Sequence, residues 1–278
     1  MKEKINSKSI SVYGSSGFIG ANFIDKSSFQ TVSIPRDQRS PQSSEVLYFI
    51  GTIHNYNIFE DVHLDIDTNL KVLVDTLEAV RKFDIHTIFN FVSTWFVYGD
   101  NRLPFREDQN CNPNGFYSIT KYAAELLIRS YCQTYSMNYR IIRLGNVIGF
   151  GDSKSSSKKN AIQFMAQKII LGEDIEMYEG GNVLRDLLHV DDVVRGLDII
   201  IQRGELNEIY NLASGQGIVL YELLSKIKSL VGSNSILKSI ETPRFHKIVQ
   251  ARDSVLDISK IRKLGFEVSR PVSARDFI

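Results

Sequence analysis

The sequence predicts an α/β fold: a doubly wound, mostly parallel sheet with a smaller α/β region interleaved into it. Three observations carry this reading. Short β-type runs alternate with helical stretches through the first half of the chain, a rhythm that buries a parallel sheet between two layers of helices. A glycine-rich turn, Gly14-Ser-Ser-Gly17-Phe-Ile-Gly20, separates the first strand from the first helix. After Gly151 the rhythm breaks into shorter pieces, as a second, smaller region requires.

The elements follow in order. Residues 10–13 form a short β-type run, and a helix is expected over 18–25. Residues 31–34 are a second strand, stopped by Pro35, and residues 46–50 a buried one. Residues 67–83 are a long amphipathic helix with Leu70, Leu73, Val74, Leu77 and Val80 on one face. Residues 87–92, rich in β-branched and aromatic side chains, form a strand, residues 116–135 a long helix, and residues 139–144 a strand before the chain loosens over 145–151. The run SKSSSKKN is expected as a mobile loop, with Lys158 and Lys159 its densest basic spot. A helix over 161–171 and a strand over 175–178 follow, ending in the turn signal Glu179-Gly180-Gly181-Asn182. Asp191 is the expected N-cap of a helix over 192–202.

Composition excludes several classes. The chain has 278 residues, 43% hydrophobic and 23% charged, with a net charge of +1. No field of one sign recruits nucleic acid or an anionic membrane. No apolar run reaches the roughly 20 residues of a membrane span, and the start MKEKINSKSI lacks the apolar stretch of a signal peptide. A cytoplasmic protein is the expectation. Cys111 and Cys132 show no C-x-x-C spacing and are expected as free thiols. The five histidines show no metal-ligand spacing, so no metal site is expected.

Two motifs carry chemistry. The glycine turn follows a strand and opens a helix, the context of a phosphate-binding turn. Glycines let the backbone approach a pyrophosphate, and the helix N-terminus offers N–H groups to its charge. Its spacing is G-x-x-G-x-x-G, and its candidate cofactor contacts are Gly14, Ser16, Gly17, Phe18, Ile19 and Gly20. The second strand ends Ile34-Pro35-Arg36-Asp37, with Pro35 where an acid for the ribose hydroxyls is expected. Arg36 could meet a 2′-phosphate, which favours NADP(H) over NAD(H), while Asp37 keeps NAD open. The second motif, Tyr117-Ser-Ile-Thr-Lys121, places a phenol and an ammonium one helical turn apart. A cation there would lower the tyrosine pKa and suit it to acid–base work.

GSSGFIG, TNLKVLVDTLEAVRK, VSTWFVYG, FYSITKYAAE, IIRLGNVIGFGD, LRDLLHVDDVVRG, IYNLASGQ and VLDISKIRKLGFE occur in that order. Together they resemble the extended short-chain dehydrogenase/reductase family of nucleotide-sugar enzymes over nearly the whole chain. The resemblance implies a Rossmann-type dinucleotide-binding domain from residues 1–147 and 187–212, and a nucleotide-sugar domain from 148–186 and 213–278. It implies NAD(P) as cofactor, with Tyr117 as general acid/base, Lys121 on the nicotinamide ribose and Thr94 as the catalytic hydroxyl. Asn69 sits where the family keeps an asparagine. Asn146 and Arg185 would contact the substrate diphosphate, an Arg185–Asp186 ion pair being the structural alternative. A homodimer built on the helices near 67–83 and 117–135 is also implied, with Leu126, Leu127 and Tyr131 at its interface or in the core.

The sequence departs from the family pattern in three places. About a dozen residues separate Ile34 from Val46, where relatives place further elements on the adenine side. The chain stops at Ile278, where relatives continue into a final helix, so a truncated chain is one reading. Trp95 and Phe96 follow Thr94, where 4,6-dehydratases of the family carry acids. Neither ring exchanges a proton, so dehydration is not expected. Cys111, in the loop before Tyr117, is only a remote match to the cysteine of the family's 3,5-epimerase/reductases. Trp95 is either core or a wall of the sugar pocket. The expectation is hydride transfer at a single sugar carbon, C4, by a 4-keto reductase or dehydrogenase. A 4-epimerase with tightly held NAD and a catalytically silent NAD(P)-binding module are the alternatives.

Overall fold

The computed structural model describes residues 6–149, 160–249 and 252–278. The expected loop around Lys158 and Lys159 lies outside them. Six parallel strands form the main sheet: β1 (Asn6–Tyr13), β2 (Phe29–Ile34), β3 (Glu45–Tyr48), β4 (Ile88–Thr94), β5 (Asn138–Leu144) and β9 (Glu208–Leu212), in the order β2-β1-β3-β4-β5-β9. β6 (Asn146–Ile148), β8 (Leu184–His189) and β10 (Gly217–Val219) form a three-stranded sheet. β7 (Ile175–Tyr178) pairs with β11 (Leu237–Ile240). The fold is the doubly wound, Rossmann-type sheet expected. One difference is β6, a strand inside the stretch expected to be loose.

Two apolar layers cover the main sheet. On one face α1 (Phe18–Lys26) and α6 (Val190–Arg203) pack with Ile10, Val12, Ile142 and Leu212. On the other, α3 (Val72–Phe83) and α4 (Phe116–Tyr135) pack with Tyr13, Tyr48, Phe89 and Ile141. A third core lies around α5 (Ala161–Ile170) and α7 (Leu220–Val231), with Ile148, Ile175 and Leu187. The expected apolar face of α3 buries Leu73, Leu77 and Val80 and half-buries Leu70, but leaves Val74 exposed. α3 is preceded by α2 (Leu64–Ile66) and a π-turn over Asp67–Lys71. Within α3 the buried arc is Leu73, Thr76, Leu77 and Val80; Val74 lies about 100° around the helix from Leu73 and falls at its solvent edge.

The cap of α6 also differs from the expectation. His189 is the N-cap, its Nδ1 accepting from the Asp191 N–H at 3.2 Å. Asp191 instead meets Lys26 at 2.6 Å, so its charge ties α6 to the end of α1. Two short helices, α8 (Arg244–Val249) and α9 (Ser259–Lys263), follow β11.

At the N-terminal edge of the main sheet, Arg140 bonds Glu45 and Asn90 at 3.1 Å each, and Lys8 reaches Glu45 at 2.5 Å. Both carboxylate oxygens of the buried Glu45 are thereby partnered, as a buried charge requires. The opposite, C-terminal edge is where an open parallel sheet binds ligands.

Candidate active site

The glycine turn leaves β1 and enters α1 at that edge. Gly14 has a φ of +76°, a conformation that favours glycine. A Cβ on Gly20 would lie 2.3 Å from the Gly14 carbonyl oxygen, so the helix can sit this close to the turn only with hydrogen there. The Gly17 N–H donates to the Gly14 carbonyl at 3.1 Å. No side chain caps α1, so its first N–H groups remain available to an anion. The turn therefore fits a dinucleotide pyrophosphate. Arg36 is exposed just past β2.

β4 ends in Ser93 and Thr94, and α4 brings Tyr117 and Lys121 against it. The Thr94 hydroxyl lies near enough to the Tyr117 phenol to favour its ionised form. The Lys121 ammonium donates to the Val92 carbonyl at 2.9 Å and lies 4.1 Å from the Phe91 ring centre. Burial pulls Lys121 down to about 7, opposed by the Glu125 charge one turn further along α4. Burial also pushes Tyr117 up to about 12, against the pull of the nearby Thr94 hydroxyl and with help from the Asp65 charge. The expected lowering of the Tyr117 pKa by Lys121 is not found. The ammonium is committed to Val92, and the cost of desolvating a phenolate is the larger effect.

Sequence reasoning missed the support beneath these residues. Ser93 donates to Glu125 at 2.5 Å, and Arg143 meets the same carboxylate at 2.8 Å. On the other side, Asn69 within the π-turn donates to Thr52 at 2.8 Å and to Thr120 at 2.9 Å, and accepts from the Thr52 N–H at 2.8 Å. Thr52 in turn donates to buried Asp65, which also accepts from Asn57 at 2.9 Å. This chain ends on Thr120, between Tyr117 and Lys121, and so fixes the first turn of α4. A Cβ on Gly51 would lie 3.4 Å from the Lys121 ammonium, which keeps that approach open. Only Asn69 carried a sequence signal; Thr52 and Asp65 lie in an irregular stretch without one.

The two rings after Thr94 part company. Trp95 is 2% exposed and packs in the core beside Phe105, the ring centres 6.4 Å apart. Phe96 is half-buried, stacks on Trp95 at 4.1 Å and stands edge-on to Tyr117 at 5.9 Å. Asn146 and Arg185 sit on neighbouring strands β6 and β8. Asn146 donates to the Asp186 carbonyl at 3.2 Å, and Arg185 to the Leu184 and Arg252 carbonyls at 2.8 and 2.5 Å. Burial lowers Arg185 to about 10, against the Asp253 charge. Asp186 does not pair with Arg185. It accepts instead from Ser214, Gly215 and Leu256, which ties β8 to the segments after β9 and before α9. Cys111 and Cys132 are free thiols, raised by burial to about 11 and about 12. No metal-binding cluster and no helix long and apolar enough to cross a membrane occur among the described residues.

Comparison with known proteins agrees with this geometry. The model of the NAD dependent epimerase/dehydratase family matches residues 39–213. The low-salt glycan biosynthesis protein Agl12 of Haloferax volcanii is 27% identical over 92% of both chains. A putative UDP-glucose 4-epimerase of Methanocaldococcus jannaschii is 29% identical over 80% of this chain and 71% of its own. Among solved structures, RMD from Pseudomonas aeruginosa complexed with NADPH superposes with a TM-score of 0.83, at 21% identity and 98% coverage of both chains.

Proposed function

The chain belongs to the NAD-dependent epimerase/dehydratase family of extended short-chain dehydrogenases/reductases, and from that premise we propose that it is an NAD(P)-dependent nucleotide-sugar oxidoreductase acting at one sugar carbon, C4. The observation that carries this reading is the convergence of Thr94, Tyr117 and Lys121 at the C-terminal end of β4. Gly14, Ser16, Gly17, Phe18, Ile19 and Gly20 would hold the cofactor pyrophosphate, and Lys121 the nicotinamide ribose. Bound there, the nicotinamide supplies or accepts a hydride.

The chain's own residues do the rest. The Thr94 hydroxyl positions the C4 oxygen. Tyr117, raised by burial and therefore protonated at neutral pH, gives that oxygen its proton as a carbonyl is reduced and takes it back in the reverse direction. Asn146 and Arg185 would bind the diphosphate. Trp95 and Phe96 supply no acid or base beside Thr94, which argues against dehydration.

Reductase or dehydrogenase is favoured over epimerase by the adenine side. β2 is the edge strand, with only residues 35–44 between it and β3. That sparse cover suits a cofactor that exchanges at each turnover, and exposed Arg36 at its start suits NADP(H). The second reading, a 4-epimerase with retained NAD, is supported by the similarity to the putative UDP-glucose 4-epimerase.

The test is consumption of added NADPH or NADH with UDP-, dTDP-, GDP- and CDP-4-keto sugars, by wild type and Tyr117→Phe. Stoichiometric oxidation that falls at least about 100-fold in the variant, with cofactor binding kept, is the expected result. Unchanged turnover in Tyr117→Phe would sink the mechanism. Interconversion of C4 epimers by a purified protein that carries its own nicotinamide would establish the second reading instead.

A further inference from the structure

The four residues after Thr94 form one 3₁₀ turn, Trp95–Tyr98. Trp95, Val97 and Tyr98 are buried; Phe96 alone keeps exposed surface. Its position is fixed from both sides. Its N–H donates to the Thr94 hydroxyl oxygen at 3.3 Å, and its ring stacks on Trp95 at 4.1 Å and meets Tyr117 in a T-shaped contact at 5.9 Å. The ring therefore stands beside the point on which Thr94 and Tyr117 converge. It cannot swing away without unstacking from Trp95.

We propose that Phe96 determines specificity: its ring is the wall for the exocyclic carbon next to the reacting one, and it selects sugars with a methyl group there, nucleotide-linked 6-deoxyhexoses, over their hydroxymethyl parents. The inference rests on the reading that Thr94 and Tyr117 hold the C4 oxygen. C4 has two ring neighbours, C3 with a hydroxyl and C5 with the exocyclic C6. A phenyl ring offers a hydroxyl no partner, so the carbon substituent belongs on its side. The hydroxyls nearest in sequence are already committed: Thr94 to the C4 oxygen on this reading, Ser93 to Glu125 at 2.5 Å and Tyr98 to Asn211 at 2.7 Å. A 6-hydroxyl placed against Phe96 would lose its hydrogen bonds to water and find no replacement there. A methyl group gains the contact without that loss.

The test measures binding, so that it does not depend on turnover. Calorimetric titration of the Tyr117→Phe protein, saturated with NADPH, compares 6-deoxyglucose with glucose as a pair in each of the UDP-, dTDP-, GDP- and CDP-linked forms. The 6-deoxy member of the recognised pair is expected to bind about 10-fold tighter or more. Adding Phe96→Tyr, which keeps the stack and introduces a phenol, narrows that ratio; adding Phe96→Leu, which keeps an apolar wall, preserves it. Equal binding of the two sugars overturns the inference, as does a ratio that Phe96→Tyr leaves unchanged. Binding of no member of any pair overturns the nucleotide-sugar reading, and the inference with it.

Discussion

Replacing Lys121 with methionine should stabilise the protein at low pH and lose that advantage as pH rises. Lys121 is 4% exposed, and burial takes it from the ordinary 10.5 down to about 7. Below about pH 7 both the folded and the unfolded chain carry the ammonium, so the folded state bears the full cost of burying it. Between about 7 and 10.5 the unfolded chain binds the extra proton, and stability rises with pH. At about 1.4 kcal/mol per pH unit, that interval corresponds to about 5 kcal/mol as an upper figure. Methionine keeps much of the stem's volume but leaves the Val92 carbonyl without its donor, a cost of about 1–3 kcal/mol at every pH. That constant cost cancels when two pH values are compared. Urea unfolding of wild type and Lys121→Met at about pH 6 and about pH 10 should therefore give stability differences that change by about 2–4 kcal/mol, in favour of wild type at the higher pH. Parallel stability profiles for the two proteins would refute the reasoning. They would mean that the ammonium is not desolvated where the fold places it.

Gly20→Ala should weaken cofactor binding, because its Cβ would meet the Gly14 carbonyl oxygen at 2.3 Å and the Ser15 Cα at 2.9 Å. Backbone cannot yield as a side-chain tip does, so overpacking of about 1–3 kcal/mol is expected; fluorescence titration with NADPH should show affinity lower by about 10- to 100-fold, and an unchanged value would remove the turn from the cofactor site. The exposed side chains Val74, Ile119, Leu126 and Leu127 on α3 and α4 make a patch suited to a second copy of the chain. Sedimentation should find a homodimer that Leu126→Asp with Leu127→Asp dissociates; a wild-type monomer would contradict this.

Much of the site was legible because it depends on local geometry. A strand-turn-helix with glycines at 14, 17 and 20 and a Tyr117–Lys121 pair one helical turn apart need no tertiary information. The choice between Trp95 and Phe96 does. Both follow Thr94 on a 3₁₀ turn whose other two side chains, Val97 and Tyr98, are buried as well, so the turn itself does not say which ring of the pair is taken into the core. That one is Trp95, because Phe105 from the following loop lies beside it. The His189 cap, the Asp186 clamp and the π-turn that aims Asn69 were hidden for the same reason. Each is decided by a partner distant in sequence or by a break in helical period.

The shortened adenine side was legible by counting, and its structural form bears on cofactor choice. Residues 35–44 are too few for a helix, a strand and more helix, and the sheet ends at β2. The connection is nonetheless tethered to β1. The Tyr13 phenol donates to the Arg39 carbonyl at 2.6 Å, the Gln42 N–H to the Ser11 hydroxyl oxygen at 2.8 Å, and the Ser11 and Ser43 hydroxyls bond at 2.7 Å. Those bonds hold the far half of the loop against the sheet. Arg36, at its near end, stays exposed beyond β2, and the Arg36 carbonyl accepts from the Arg39 guanidinium at 2.7 Å. Two guanidinium groups are therefore carried by one short, anchored loop past the strand end where the ribose hydroxyls are read. A phosphate on that ribose would meet positive charge, whereas a bare diol would find only Asp37 as an acidic partner on this loop. The same loop places no helix over the adenine. On the proposed reading, a preference for the 2′-phosphate and loose retention of the base would have one structural origin, the short anchored loop over residues 35–44.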